Sequence, residues 1–201
     1  MKFLYVVVAL IISIPSVHAQ MNEGDELVYQ FEQKDSSYSF TGHFIIDSQP
    51  DLILRLIYTF ENIPSYTPDI VSCNLDQESD YGYDVTYQYK KLLIFKNESK
   101  WRRTLLLDED KIKFELISSN SNIDIFPEVL SLSGYYQVSP LDGRCQVKYY
   151  QEAEFIANKL KKVYIYEVKK SLIKFLTELR IYLEDQSNKP LLKAHDQSVI
   201  K

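Results

Sequence analysis

The chain is poor in the residues that build common catalytic and nucleotide sites. Its 201 residues include five glycines, three histidines, two cysteines, two methionines and one tryptophan. Five glycines leave little material for a loop of successive backbone N–H groups around a phosphate, and no such loop motif occurs. G-x-S-x-G, H-E-x-x-H and C-x-x-C are absent as well. A basic surplus is also missing. The net charge is −5 and the pI is near 5.3, the wrong sign for a nucleic-acid binder. Two cysteines are too few for a disulfide-built scaffold, and a chain of this length buries a core without one. No catalytic residue, cofactor or metal is expected. Hydrophobic residues at 45% and charged residues at 25% are ordinary globular values, which argues against disorder. What is abundant is aromatic: 16 Tyr and 10 Phe. Rings at this density imply a β-rich core or a cavity lined with them.

The first 19 residues read as a secretory signal peptide. Lys2 gives the positive start, Phe3 to Ile14 is apolar apart from Ser13, Pro15 breaks the run, and Val17-His18-Ala19 fits a cleavage site. The run is shorter than the ~20 residues of a membrane span. Cleavage after Ala19 leaves Gln20–Lys201, 182 residues (201 minus 19), with a net charge of −6 once Lys2 is lost. The expected location is periplasmic or secreted. Cys73 and Cys145 then meet an oxidising compartment, where a disulfide between them and two free thiols are both open readings.

Residues 20–37 form a polar lead-in, strand or helix. From Tyr38 the pattern alternates, with Tyr38, Phe40, Gly42, Phe44 and Ile46 on one side and Ser39, Thr41 and His43 on the other, which predicts a strand. Ser48 or Gln49 caps a helix with Pro50 at its first position, and Leu52, Ile53, Leu56, Ile57 and Phe60 form its apolar face. Pro64 and Pro68 bracket a second short helix or turn. Between Ile70 and Ile156 strand follows strand. Lys96-Asn97-Glu98-Ser99, which also matches a glycosylation acceptor pattern, and Ser118 to Asp124 read as a turn and a loop. Asp142-Gly143 marks a tight hairpin. From Asn158 to Asp185 the period becomes helical, with Leu160, Tyr164, Val168, Leu172, Phe175, Leu179 and Leu183 on one stripe and Lys161, Lys162, Lys169, Lys170 and Lys174 opposite. Residues 187–201 read as a polar tail.

This order resembles the helix-grip fold of the START and Bet v 1-like (SRPBCC) superfamily, with its polyketide cyclase/dehydrase and coenzyme Q-binding subfamilies. The segment FIIDSQPDLILRLIYTFENIPSYTPDIVSC is similar to that family's strand, helix and two-proline segment. LSGYYQVSPLDGRCQVKYYQEAEF is similar to its late hairpin, and the terminal helix carries a matching L-x-x-L-R ending. Where members often carry Trp or Phe between the two prolines, this chain has Ser65-Tyr66-Thr67. The resemblance implies an α+β domain over residues 38–186: a curved antiparallel sheet of about seven strands wrapped around a long C-terminal helix, with two short helices after the first strand. It also implies an interior between sheet and helix that takes a hydrophobic small molecule such as a lipid or isoprenoid. The inward candidates are Phe40, Phe44, Tyr83, Tyr87, Tyr89, Leu105, Leu107, Phe114, Leu116, Tyr136, Tyr149, Tyr164, Val168 and Leu172. A solid core made of the same residues is the competing reading.

Little reactive chemistry stands out. His43 alternates away from the aromatic side, and Asp84 and Glu115 fall on outward phases. Arg102 and Arg103 beside Trp101 offer a cation–π contact or an anion site, against the simpler reading of a solvated hairpin. The lysines of the last helix suit peripheral contact with an anionic membrane, interrupted by Glu167, Glu178 and Glu184. The leading expectation is an exported carrier rather than an enzyme. A cyclase or dehydratase on the same fold and a ligand-free interaction module are the alternatives.

Overall fold

A computed structural model describes residues 27–67, 69–90, 97–121 and 127–188. The expected signal peptide and His195 lie outside these residues. The elements, in chain order, are β1 (Val28–Gln33), β2 (Ser37–Ile46), α1 (Pro50–Tyr58), a 3-10 turn (Phe60–Asn62), α2 (Ile63–Tyr66), β3 (Ile70–Ser79), β4 (Gly82–Tyr89), β5 (Asn97–Leu106), a second 3-10 turn (Leu107–Glu109), β6 (Lys111–Ser121), β7 (Glu128–Leu141), β8 (Arg144–Ile156) and α3 (Lys161–Asn188).

One antiparallel sheet takes all eight strands in the order β1-β2-β8-β7-β6-β5-β4-β3. The strand beyond the seven or so expected comes from the lead-in: Val28–Gln33 pairs with Tyr38–His43, and Phe31 stacks on Tyr38 at 5.6 Å. β2 keeps the alternation its sequence implies, with Tyr38, Phe40, Gly42, Phe44 and Ile46 buried. The hairpin between β7 and β8 turns at Asp142 (φ 47°) and Gly143 (φ 79°), the two positive φ values that a tight two-residue hairpin requires.

Several sequence expectations are corrected. Of the turn expected at 96–99, Asn97–Ser99 belongs to β5, and Ser99 points into the protein, buried, while Lys96 lies outside the described residues. Residues 118–121 extend β6 rather than forming a loop, since polar side chains are tolerated on a strand with an exposed face. The buried face of α1 is Ile53, Leu54 and Ile57, rotated from the one expected, and no side chain caps the helix. α3 starts three residues later and ends three residues later than Asn158–Asp185. Its buried stripe is Ile165, Leu172, Leu176, Leu179 and Leu183. Leu160 precedes the helix, where Asn158 Oδ1 accepts its N–H, and it is exposed.

α3 lies along β2 and β8. Tyr164 packs on Phe155, and Phe175 packs on Tyr149 at 5.2 Å. A methyl at Gly42 would sit 2.2 Å from Leu176 Cδ1, so this glycine lets the helix press close to the sheet. Gly134 does the same for Phe114, whose ring crosses β7 where a side chain would otherwise stand. No helix of the described residues is long and apolar enough to cross a membrane.

Candidate ligand-binding site

The inner face of the sheet carries a continuous chain of rings. Phe114 stacks on Tyr149 at 5.6 Å and tilts against Tyr136 at 5.4 Å. Tyr136 and Tyr149 are 5.1 Å apart, and Phe175 of α3 closes over both. Trp101 bridges this group to Tyr87. The centre of the interior is therefore occupied by aromatic side chains.

Pairing between β6 and β7 runs only from Lys111↔Gln137 to Glu115↔Ser133. Beyond it, Leu116 onward stays with β5, and Leu132 and Ser131 stay with β8. The sheet thus parts between β6 and β7. Toward that parting, Tyr89, Trp101, Leu116, Leu132, Val168 and Phe175 are each half-buried. These residues border the ring cluster on its half-buried side.

Three polar centres sit on the inner face. In one, Tyr149 donates to Gln151 Oε1, and Gln151 Nε2 donates to the Tyr38 hydroxyl at 2.8 Å. In the second, Trp101 Nε1 donates to Ser99 Oγ at 2.6 Å, and the Tyr89 hydroxyl lies 2.8 Å from the same oxygen. The third is Arg103, 2% exposed. Its Nη2 donates to the Ile57 carbonyl at 2.8 Å, and Tyr66 donates to that carbonyl at 3.2 Å. Tyr83 donates to the adjacent Tyr58 carbonyl. These carbonyls close α1 and carry the negative end of its dipole, which favours a cation there. The guanidinium also stands over the Tyr136 ring at 5.5 Å.

Burial, partly offset by the Arg103 guanidinium, raises the Tyr66, Tyr83 and Tyr87 hydroxyls above the usual phenol range. Tyr136 and Tyr149 are also raised, by burial first and by neighbouring phenols second. All five remain neutral donors at physiological pH. The buried polar and charged residues, Asp84, Ser99, Arg103 and Gln151, include one acid, and Asp84 faces outward beneath Arg102. Among the described residues, then, no buried carboxylate or imidazole lines the interior, and no group of three metal-ligating side chains exists.

No protein-family model matches the sequence, and no curated protein matches it. Solved structures match its shape. A STAR-related lipid transfer protein from Xanthomonas axonopodis superposes with a TM-score of 0.59 at 13% identity, covering 82% of this chain and 96% of its own. The Zhui aromatase/cyclase of a Streptomyces species gives 0.57 at 14% identity, with 80% and 96% covered. A major latex-like protein of Panax ginseng gives 0.58 at 17% identity, with 76% and 99% covered. The fold is the START/Bet v 1-like helix grip.

Within this helix grip, Phe40, Phe44, Tyr83, Tyr87, Phe114, Tyr136, Tyr149 and Leu172 are buried, and Tyr89, Leu105, Leu116, Tyr164 and Val168 are half-buried. Leu107 is not inward. It lies in the 3-10 turn after β5 and is 60% exposed, because the strand ends one residue before it. Cys73 and Cys145 are free thiols, on an edge strand and in the core respectively, and burial pushes each up to about 11. His43 is half-buried opposite Lys148 on the outer face.

Arg103 is the residue that sequence reasoning undervalued. A solvated hairpin was the simpler expectation, yet only Arg102 is solvated there. The signal was present in the phase: Trp101, Arg103 and Leu105 alternate, so an arginine occupies an inward position of an otherwise apolar series. Tyr66 and Phe175 were missed for a different reason. One sits between the prolines and the other is a helix residue whose role depends on how α3 lies.

Proposed function

We propose that this protein binds a hydrophobic small molecule, a lipid or isoprenoid, in a cleft between the parted strands β6 and β7 and helix α3, and carries it outside the cytoplasm. The observation that supports this most is the row of half-buried inward residues around Trp101 and Phe175. An apolar inner face left open to water gains by being covered, at roughly 25 cal/mol per Å² buried. The lipid-transfer neighbour has the same fold, and the Tyr hydroxyls give such a molecule polar points of attachment. Export rests on the leader-like first 19 residues.

Solvent extraction and native mass spectrometry of freshly purified protein test the reading. A bound apolar molecule at one per chain is expected. A clean unliganded spectrum, with no uptake of added lipid, would contradict it.

A second reading, a cyclase or dehydratase, draws on Arg103 and the neutral phenols, which together suit stabilisation of an oxyanion. The lack of a buried general base among the described residues weighs against it. Docking on an anionic membrane through α3 is a subsidiary proposal. Lys162, Lys170 and Lys174 are exposed, whereas Lys161 lies 3.9 Å from Asp35 and Lys169 covers the Phe31 ring.

A further inference from the structure

We infer that Arg103 anchors an anionic head, a carboxylate, on the bound apolar molecule; this rests on the binding reading above and sharpens it. Arg102 and Arg103 are neighbours on β5 facing opposite ways. Arg102 grips Asp84 side-on, with Nε to Oδ1 at 2.9 Å and Nη2 to Oδ2 at 3.2 Å. Arg103 turns the same pair of donors inward. Its Nη2 reaches the Ile57 carbonyl, and its Nε has no partner.

A guanidinium cannot escape burial by losing its proton, and buried charges are ordinarily paired. Among the described residues no carboxylate lies within ion-pair distance of Arg103, which leaves one negative charge and one acceptor oxygen at Nε unsupplied. The carbonyl end of α1, the Tyr66 hydroxyl and the Tyr136 ring offset part of the charge without meeting Nε. A carboxylate head supplies both, in the side-on geometry that Asp84 gives Arg102.

Access is short. Arg103 stands over Tyr136, and Tyr136 touches the half-buried Phe175 of the cleft at 6.5 Å. On the other side, Tyr87 stacks on the half-buried Trp101. Rings therefore surround the cation, and a head group reaches it by displacing them while its chain stays among them.

Calorimetric titration of the purified protein with laurate and with 1-dodecanol, which share a chain length, separates head from tail. Laurate is expected to bind at least roughly tenfold tighter, as a hydrogen bond to a charged group would give. The preference is expected to vanish in Arg103→Met while dodecanol binding persists. Equal affinities in the wild type, or a preference that survives the substitution, would overturn this inference and leave the apolar-ligand reading intact. Binding of neither compound would overturn both. Should Arg103→Met fail to fold, laurate isotope-labelled at its carboxyl carbon gives a second readout on the wild type. A bound carboxyl that titrates below its free midpoint supports the anchor, and one that titrates at or above it refutes the anchor.

Discussion

The two faces of the same strands treat identical residue types differently. On the outer face, Arg102 is solvated and paired with Asp84, and Tyr150 stacks on Tyr135 with its hydroxyl donated to Glu152. One position along, on the inner face, Arg103 and Tyr149 are buried, and Arg103 lacks a carboxylate among the described residues. A strand alternates faces at every residue, so adjacent side chains meet media as different as water and a ring-lined interior. On the outer face Arg102 and Tyr150 are met by carboxylates of the chain itself. The inner face retains polar capacity, and that surplus is what points to a ligand.

Substitutions at adjacent positions sharpen the contrast. Tyr149→Ala should cost about 3–5 kcal/mol in denaturant unfolding, since it removes a ring in contact with Phe114, Tyr136 and Phe175. Tyr150→Ala should cost about 1 kcal/mol or less, the worth of one surface ring pair. Comparable losses at both positions would break the distinction.

Close approach gives the next effect. A methyl at Gly134 would lie 2.1 Å from the Tyr150 carbonyl oxygen, a backbone atom that cannot yield easily, so Gly134→Ala should cost about 1–3 kcal/mol. Gly42→Ala meets the end of the flexible Leu176 side chain and should cost less. The same unfolding curves check the order.

Alkali should act through the inner face. Burial raises the thiols of Cys73 and Cys145 to about 11 and that of the Tyr164 hydroxyl to about 12. The folded state therefore holds these protons more tightly than the unfolded state does. Their contribution is intact below the ordinary thiol value near 9 and is lost as pH rises through 11 to 12. Melting temperature should hold level to about pH 9 and then fall, and a reducing agent at neutral pH should leave it unchanged because the thiols are free. A loss of stability on reduction would refute the free-thiol state.

The smallest effect is the most diagnostic. Arg102→Met leaves the buried Asp84 carboxylate without its fork and should lower the melting temperature of the unliganded protein, less so at high salt. Arg103→Met removes a buried charge that lacks a counter-ion and should leave the melting temperature unchanged or raise it. The reverse order would mean that Arg103 serves only to hold the end of α1.

The fold was legible because its signals are local. Alternation in Tyr38–Ile46, Pro50 at a helix start, Asp142-Gly143 at a turn and the long helical stripe each need only neighbouring residues. β1 was ambiguous because six residues with a short apolar run do not declare a period. The interior was less legible. Inwardness can be read from phase, as for Tyr83, Tyr87, Phe114 and Tyr149, but occupancy cannot. Rings from six elements, β4 to β8 and α3, fill the centre, and the proposed cleft depends on where β6 and β7 stop pairing and on the line α3 takes across the sheet. Polar side chains in Ser118–Ser121 and Asn97–Ser99 hid strand ends whose partners lie far along the chain.

Trp101, the sole tryptophan, sits between Tyr87 and Phe114 at the proposed cleft, and its fluorescence therefore reports on the site alone. Titration of the protein with laurate while Trp101 emission is followed is the most direct test. The account predicts a saturable change with one laurate per chain, its midpoint moved roughly tenfold higher in Arg103→Met. Emission that stays unchanged up to the solubility limit of laurate would contradict it.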